Sequence, residues 1–160
     1  MIRAQQAGFS LIEVMMAMIV LAFGILGAMS AFQWSDGGLR QSAMGTRALA
    51  LAESRLEAKR ATPWEALLTD DLDGDGRMEI VMHDDGRPPD AQAGDGLYTA
   101  TIEREGISLR WTVQPDRPGP LQAWGSAVIT ARARYQTGQG RWHDVTVGTL
   151  RANPRYLGLR

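Results

Sequence analysis

Apolar residues form one unbroken run near the N-terminus of the chain. Residues 14–32 contain no charged residue and no proline. At about 1.5 Å of rise per residue, a helix of this length crosses most of the roughly 30 Å hydrocarbon core of a membrane. The run therefore predicts a membrane-spanning helix. Glu13 lies at its edge, where an ionised carboxylate is costly without a partner, so we expect this residue to make a functional contact.

A second apolar pattern, interrupted by charged residues at helical spacing, covers residues 39–60. Leu49, Ala52 and Leu56 are predicted to share the buried face of an amphipathic helix. The paired glycines within residues 35–38 are poor helix formers, so we expect them to interrupt or bend the helix. Pro63 should end it, because the residue before a proline is pushed out of helical geometry. Residues 9–34 and 35–62 are thus predicted as two helical segments.

Beyond residue 63 the pattern changes to the alternation of β-strands. Strands are predicted at residues 78–82, 97–103, 107–114, 127–135 and 142–150. The third strand should bury one face, which consists of Ile107, Leu109, Trp111 and Val113. A helix followed by an antiparallel meander predicts a layered α+β fold, with residues 63–160 as one small β-rich domain.

The junction before the apolar run is the most specific motif in the chain. Residues 8–13 read Gly-Phe-Ser-Leu-Ile-Glu and follow a short polar leader that contains Arg3. This junction resembles the prepilin signature of type IV pilins and type II secretion pseudopilins. The resemblance implies that a prepilin peptidase removes residues 1–8 by cutting between Gly8 and Phe9, and that Phe9 is then N-methylated. It also implies that Glu13 pairs with the N-terminal amine of a neighbouring subunit during assembly.

Other interpretations of this junction fit less well. A secretory signal has its apolar region before the cleavage site, whereas here the apolar run follows Gly8. A plain membrane anchor has no need of Glu13. In lipid, moreover, two opposite charges gain far more from pairing than they do in water, which suits the contact that the family implies.

Further resemblance narrows the role that is expected. Residues 19–27 resemble the helix of PilV-type minor pilins. Residues 48–57, with Pro63 and Trp64 beyond them, resemble the lower helix that lies on the sheet in minor pilins and pseudopilins. The resemblance implies a pilin-like fold and a minor pilin of a type IV pilus, with other pilin and minor pilin subunits as partners. A type II secretion pseudopilin and a calcium-dependent adhesion module carried on a filament remain alternatives.

The charged residues predict an orientation in the membrane and argue against nucleic-acid binding. The positive charges of the leader precede the apolar run, so the leader should stay cytoplasmic and the C-terminal domain should be periplasmic, with the protein in the inner membrane or the pilus at the cell surface. The formal net charge of -1 provides no basic footprint for nucleic acid. The chain has no cysteine, so no disulfide can stabilise the domain, and we expect another stabilising interaction to take that role.

Two acidic loops lie within residues 70–99. In the first, Asp71, Asp73, Asp75 and Glu79 place oxygen atoms at alternate positions around glycines, an arrangement that suits Ca²⁺. The loop is an incomplete EF-hand because its twelfth position is Met82, and it resembles the shorter DxDGDG repeats of β-rich calcium proteins of the FG-GAP type.

The second loop resembles an acidic element of extracellular β-domains and offers further candidate ligands, namely Asp84, Asp85, Asp90 and Asp95. Together with Asp70, so many carboxylates would repel one another unless a divalent ion were bound. The alternative is that Asp and Gly simply form tight turns here.

Catalytic chemistry has little support in the sequence. His83 and His143 lie on different predicted elements, there is no cysteine, and no serine lies in a GxSxG motif. We therefore expect a structural or binding role rather than an enzyme.

Overall fold

The computed structural model describes residues 10–138 and 140–156. These residues contain one long helix, α1 (Leu11–Ala61), followed by six strands. The strands are β1 (Thr69–Asp70), β2 (Ile80–Val81), β3 (Tyr98–Arg104), β4 (Ile107–Pro115), β5 (Ser126–Gln136) and β6 (Trp142–Ala152). Short 3₁₀ helices occur at Trp64–Ala66, Leu121–Ala123 and Pro154–Tyr156. A long apolar helix followed by antiparallel sheets confirms the α+β fold.

Helix α1 runs without a break through residues 35–38, so the predicted interruption is wrong, whereas the alternative of a bend there stays a prediction. A glycine costs about 1 kcal/mol in a helix, but unlike proline it keeps its N–H group and clashes with nothing. Gly37 and Gly38 therefore weaken the helix without ending it. The end at Ala61, two residues before Pro63, agrees with the prediction.

The chain divides into two compact units, Met1–Gln41 and Ser42–Arg160. In the first unit every residue from 10 to 39 is exposed, including large apolar side chains such as Phe23 (71%) and Phe32 (76%). This part of α1 is the segment of the described chain that is long and apolar enough to cross a membrane.

The second unit contains two antiparallel sheets. Strands β1 and β2 form a short two-stranded sheet, and the other four form a meander in the order β3-β4-β5-β6. The strands predicted at 97–103, 107–114, 127–135 and 142–150 are confirmed to within two residues at either end. The strand predicted at 78–82 is reduced to Ile80–Val81, and β1 was not predicted, because two residues are too few to show a period of two.

The core of the second unit lies between the inner face of the larger sheet and α1. Ile107, Leu109, Trp111 and Val113 are all buried, which confirms the predicted face of β4. From α1 the buried apolar residues are Ala48, Ala52 and Leu56, whereas Leu49 is 38% exposed and was placed wrongly on this face. The buried stripe advances in steps of four from Ala48, and the alternating Ala and Leu residues there gave no local sign of which stripe would face the sheet.

Candidate functional site

The first acidic loop, residues 71–79, joins β1 to β2 and gathers four carboxylates. One oxygen each from Asp71, Asp73, Asp75 and Glu79 can be chosen so that all lie within 4.8 Å of one another. The loop can turn this tightly because Gly74 and Gly76 adopt φ angles of 81° and 88°, which other residues rarely do.

Backbone N–H groups hold these carboxylates in place. Asp71 accepts hydrogen bonds from the N–H groups of Gly74 (2.7 Å) and Gly76 (2.8 Å), and Glu79 accepts one from Leu72 (2.6 Å). The bond from Gly76 is the main cause that holds the pKa of Asp71 below its ordinary value. Each carboxylate has about four lone-pair sites, so these bonds leave acceptor capacity for a cation.

The second acidic loop, residues 84–96, forms its own cluster. Oxygens of Asp84, Asp90 and Asp95 lie within 4.8 Å of one another. Asp84 accepts hydrogen bonds from the N–H groups of Gly94 (2.6 Å) and Gly96 (2.9 Å). Asp85 is not part of this cluster, and its carboxylate instead accepts the N–H of Arg87 at 3.0 Å. The predicted ligands thus form two groups, one of four carboxylates and one of three.

Asp90 is the most buried carboxylate of the second loop, with 6% of its surface exposed. It accepts the N–H of Gly86 at 2.7 Å, and this bond is the main cause that lowers the pKa of Asp90. Gly86 is itself constrained, because a Cβ there would lie 2.9 Å from the backbone nitrogen of Ala93. The loop is therefore folded around Asp90.

Asp70 belongs to neither cluster, which corrects its assignment to the acidic loops. Its carboxylate is buried and accepts from the Nζ of Lys59 (2.8 Å), an Nη of Arg55 (3.1 Å) and the indole N–H of Trp111 (2.9 Å). The guanidinium of Arg55 also lies over the Trp111 ring, 4.7 Å from its centre. Asp70 therefore joins β1 to both α1 and β4.

Lys59 is fully buried beside Asp70 and also donates to the carbonyls of Leu67 (2.8 Å) and Thr69 (3.0 Å). Burial lowers the pKa of Lys59, and the neighbouring carboxylate opposes that change. The amphipathic pattern of residues 39–60 does not predict this burial, because Lys59 is one of the charged residues between the apolar positions. A signal was present, because Arg55 and Lys59 are four residues apart beside buried Leu56, which places two cations along the packed face.

The N-terminal motif is only partly described. Glu13 lies in the first turn of α1 and is exposed. Gly8 and Phe9 lie outside the described residues, so the cleavage and methylation predictions stay predictions.

Comparison with known proteins identifies this N-terminal segment. Residues 3–29 match the family model of the prokaryotic N-terminal methylation motif. No curated protein and no solved structure matches the chain. The match includes Gly8, Phe9 and Glu13, together with the apolar part of α1 up to Met29. The chain therefore carries the N-terminal signature of type IV pilins and pseudopilins.

Proposed function

We propose that this chain is a minor pilin-like subunit of a type IV pilus. The observation that carries the proposal is the methylation motif, which continues directly into a helix whose apolar side chains are all exposed up to residue 39. Such a surface is unstable in water and needs lipid or other helices around it. The helix of a pilin is surrounded by lipid in the inner membrane and by the helices of other subunits in the filament.

The subtype rests on a finer resemblance. The resemblance of residues 19–27 to the helix of PilV-type minor pilins favours a pilus over a type II secretion filament, which remains the second candidate. The position of Arg3 before the apolar segment supports a single-pass orientation with the C-terminal unit in the periplasm. A calcium-dependent binding role for that unit is compatible with assembly into a pilus.

Assembly through Glu13 is part of the proposal. Cleavage before Phe9 would create a positive amine near the start of α1, and Glu13 lies in the first turn of that helix. In lipid, the amine of one subunit and the carboxylate of its neighbour would relieve each other's desolvation cost.

The proposal can be tested with the full chain, expressed in a pilus-forming host that has its own prepilin peptidase. Mass spectrometry should find methylated Phe9 at the N-terminus of wild-type protein, and sheared pili should contain that protein. Gly8→Glu should keep residues 1–8 and remain in the membrane fraction. An intact Met1 in the wild-type protein would contradict the proposal. Loss of protein secretion without loss of pili, on deletion of the chain, would instead favour the pseudopilin alternative.

We also propose that the acidic loops bind Ca²⁺, first through Asp71, Asp73, Asp75 and Glu79. The close approach of four carboxylate oxygens supports this proposal, because an unneutralised group of this kind is electrostatically unfavourable. Calcium takes six to eight oxygen ligands, so backbone carbonyls or water would complete the shell. Asp84, Asp90 and Asp95 form the second proposed site, whereas Asp85 does not belong to that cluster of carboxylates.

A further inference from the structure

In the described chain, strand β6 lies at an edge of the larger sheet and pairs with β5 alone. Among residues 10–138 and 140–156, no backbone hydrogen bond reaches the side of β6 that faces away from β5. Each residue of a strand carries an N–H and a C=O group that needs a partner, either in the protein or in water. This side of the strand, which we call the β6 edge, is therefore open to a further strand.

The hydrogen bonds at the two ends of the β5–β6 pair show which backbone groups face the β6 edge. Asn153 donates its N–H to the carbonyl of Gly125 (2.9 Å), and Thr137 donates to the carbonyl of Arg141 (2.8 Å). Both odd-numbered residues that flank β6 thus turn these groups towards β5. Because the directions alternate along an antiparallel strand, the even-numbered residues turn theirs away from β5. The outward N–H and C=O groups belong to Trp142, Asp144, Thr146, Gly148, Leu150 and Ala152.

The β6 edge lacks the features by which sheet edges usually avoid pairing with other chains, namely short length, bulges, proline and lysine. The strand has 11 residues in one unbroken register with β5, and none of them is proline or lysine. Asp144 is already paired with two arginines of β5, and Arg151 donates to the carbonyl of Lys59. Residues 145–150 carry no charge. Neither bulge nor charge therefore keeps another strand away.

The opposite edge of the same sheet, β3, is shorter and better protected. It has 7 residues, and His83 forms a β-bridge with Thr99 near its start. The last two residues of β3, Glu103 and Arg104, are both charged. The chain thus covers or blunts one edge of the sheet and leaves the other one available.

The side chains of β6 favour an added strand with apolar residues at alternate positions. On the core side, Val145 and Val147 are half-buried and pack against the hydrophobic core, so an added strand would cover the area that they still expose. On the other side, Trp142 is 54% exposed and Leu150 is 68% exposed. Cross-strand pairs of β-branched and aromatic side chains stabilise a sheet, so uncharged residues of this kind suit the positions opposite β6.

We propose that the β6 edge binds an extended segment of another protein, which adds a strand to the larger sheet. The backbone determines this class of ligand, because its outward N–H and C=O groups recur with the two-residue period of a β-strand. The side chains determine the composition of the segment, which has β-branched or other uncharged apolar residues at alternate positions. Filament assembly through α1 does not use this edge.

A second copy of this chain fits the edge less well, and this step rests on the proposed function. Two identical edges pair about a twofold axis, so the two β6 strands would run antiparallel. An axis of that kind, perpendicular to the sheet, would also reverse residues 48–56 of α1 in one copy relative to the other. Subunits that are anchored in one membrane share one direction. We therefore assign the edge to a different protein.

The probe for the test is a short synthetic peptide of alternating valine and threonine, with a lysine at either end for solubility. It is added to isotope-labelled full-length protein in detergent micelles, and the hydrogen exchange of each backbone amide is measured by NMR. The peptide should slow exchange at least about tenfold at the even-numbered residues 144–150, whose N–H groups gain a partner. The odd-numbered residues already donate to β5 and should change far less.

The same peptide with every backbone nitrogen methylated supplies the same side chains without hydrogen-bond donors, and it should not slow exchange. No effect of the unmethylated peptide at millimolar concentration would overturn the proposal. Equal slowing at odd- and even-numbered residues would overturn it as well, since strand addition acts on alternate residues. These measurements need no pilus, so their outcome is independent of the proposed function.

Variants at Thr146 then test the edge itself. Thr146→Pro removes one outward N–H and leaves the bonds to β5 in place, so it should weaken peptide binding at least about tenfold. The matched control, Thr146→Val, keeps that N–H and should bind like wild type. Thr146→Lys keeps every backbone group and places a charge on the edge, so it should also weaken binding if the proline variant fails to fold.

Equal peptide binding by the Pro, Lys and Val variants would overturn the proposal. A wild-type dimer in micelles that Thr146→Pro dissociates would also overturn it, in favour of pairing between two copies of the chain. Near-ultraviolet circular dichroism of each variant checks that the core tryptophans keep their packing.

Discussion

Glu13 is a charged residue at the start of the long apolar part of α1, so its energy depends strongly on what surrounds it. It is the acidic residue of the first turn of α1, and the next residues on the helix are apolar and exposed. A lone carboxylate there fits water, or a partner charge, but not lipid. The proposed function therefore makes two separate demands: Gly8 and Phe9 would be needed for processing, and Glu13 would be needed for the assembly that follows.

Glu13→Ala should leave cleavage intact but reduce incorporation into the filament. The physical reason is that removing one member of a charge pair in lipid leaves the other, the Phe9 amine of the neighbour, without compensation. Quantification of mature protein in membranes and in sheared pili measures both steps. Glu53→Ala makes the same chemical change at an exposed position within the second unit and should be incorporated normally. Wild-type incorporation of the Glu13 variant would show that the pairing idea is wrong.

Among the elements, α1 and the larger sheet are joined by the buried group around Asp70. Its ion pairs reach Arg55 and Lys59 on α1, and its bond to Trp111 reaches β4. Arg151 of β6 adds a fourth element, because it donates at 2.7 Å to the carbonyl of Lys59 near the end of α1. Free carbonyls at a helix C-terminus need such partners, so this contact also completes the helix.

Asp70→Ala should destabilise the second unit by about 3–5 kcal/mol, because it leaves the buried cation of Lys59 without its counter-ion. Urea unfolding of the detergent-solubilised protein, followed by near-ultraviolet circular dichroism of the buried tryptophans, measures the change. Glu57→Ala breaks the Glu57–Arg60 pair, whose side chains are 66% and 55% exposed, and should cost less than about 1 kcal/mol. Equal losses in the two variants would mean that burial of the pair is energetically irrelevant.

Calcium should raise the thermal stability of the protein, because it is proposed to bind the acidic loops only in the folded state. An ion that binds only the folded protein stabilises it by RT ln(1 + [L]/Kd), which is about 2.7 kcal/mol at a hundredfold excess over Kd and corresponds to several degrees in Tm. Thermal melts of full-length protein in millimolar calcium and in chelator measure this shift. Asp73→Ala with Asp75→Ala should abolish it and leave the sheet intact.

Asp85→Ala provides the control for the calcium experiment. Asp85 lies in the second acidic loop but outside its cluster of carboxylates, so this variant should keep the calcium-dependent shift. Identical melts of the wild-type protein with and without calcium would reduce the aspartates of both loops to turn-forming residues.

The two units of the molecule differ in whether their apolar side chains are buried within the chain. The described part of the first unit exposes its apolar side chains, whereas the second buries its own core of tryptophan, leucine and β-branched residues between α1 and the sheet. Without a disulfide, the second unit depends on packing and on ionised groups. Four of its aspartates have a lowered pKa, namely Asp71, Asp90, Asp116 and Asp144.

These lowered pKa values predict that the second unit loses stability in acid. Asp71 and Asp90 are held ionised mainly by backbone N–H groups, and Asp116 and Asp144 mainly by Arg117 and Arg132. Because the folded state binds these protons less readily than the unfolded state, the stabilisation is complete above the ordinary aspartate pKa of about 3.9. It is lost as the pH falls through that value towards the folded-state pKa. Urea unfolding at a series of pH values measures the trend.

Asp71→Asn supplies the comparison for the acid series. It removes one titrating group and should therefore show a shallower dependence of the free energy of unfolding on pH. A wild-type stability that stays constant as the pH falls from about 4 to about 2 would contradict the assignment.

Local pattern was enough to determine much of this protein. The apolar run, the end of α1 before Pro63 and the four long strands followed from periodicity, because whether side chains repeat at 3.6 or 2.0 residues is a property of neighbours in the chain. The motif at residues 8–13 was equally local, and the family match at residues 3–29 agrees with it.

Only the tertiary structure decided which side chains meet. Asp70 forms ion pairs with Lys59 and Arg55 on another element, so a residue that resembles a loop ligand in the sequence is a buried counter-ion in the fold. Arg110 lies directly opposite Arg132 because of the register between β4 and β5. The buried stripe of α1 that begins at Ala48 depends on how the helix is rotated against the sheet. Burial and charge pairing are set by residues distant in sequence, so periodicity predicted the elements but not their contacts.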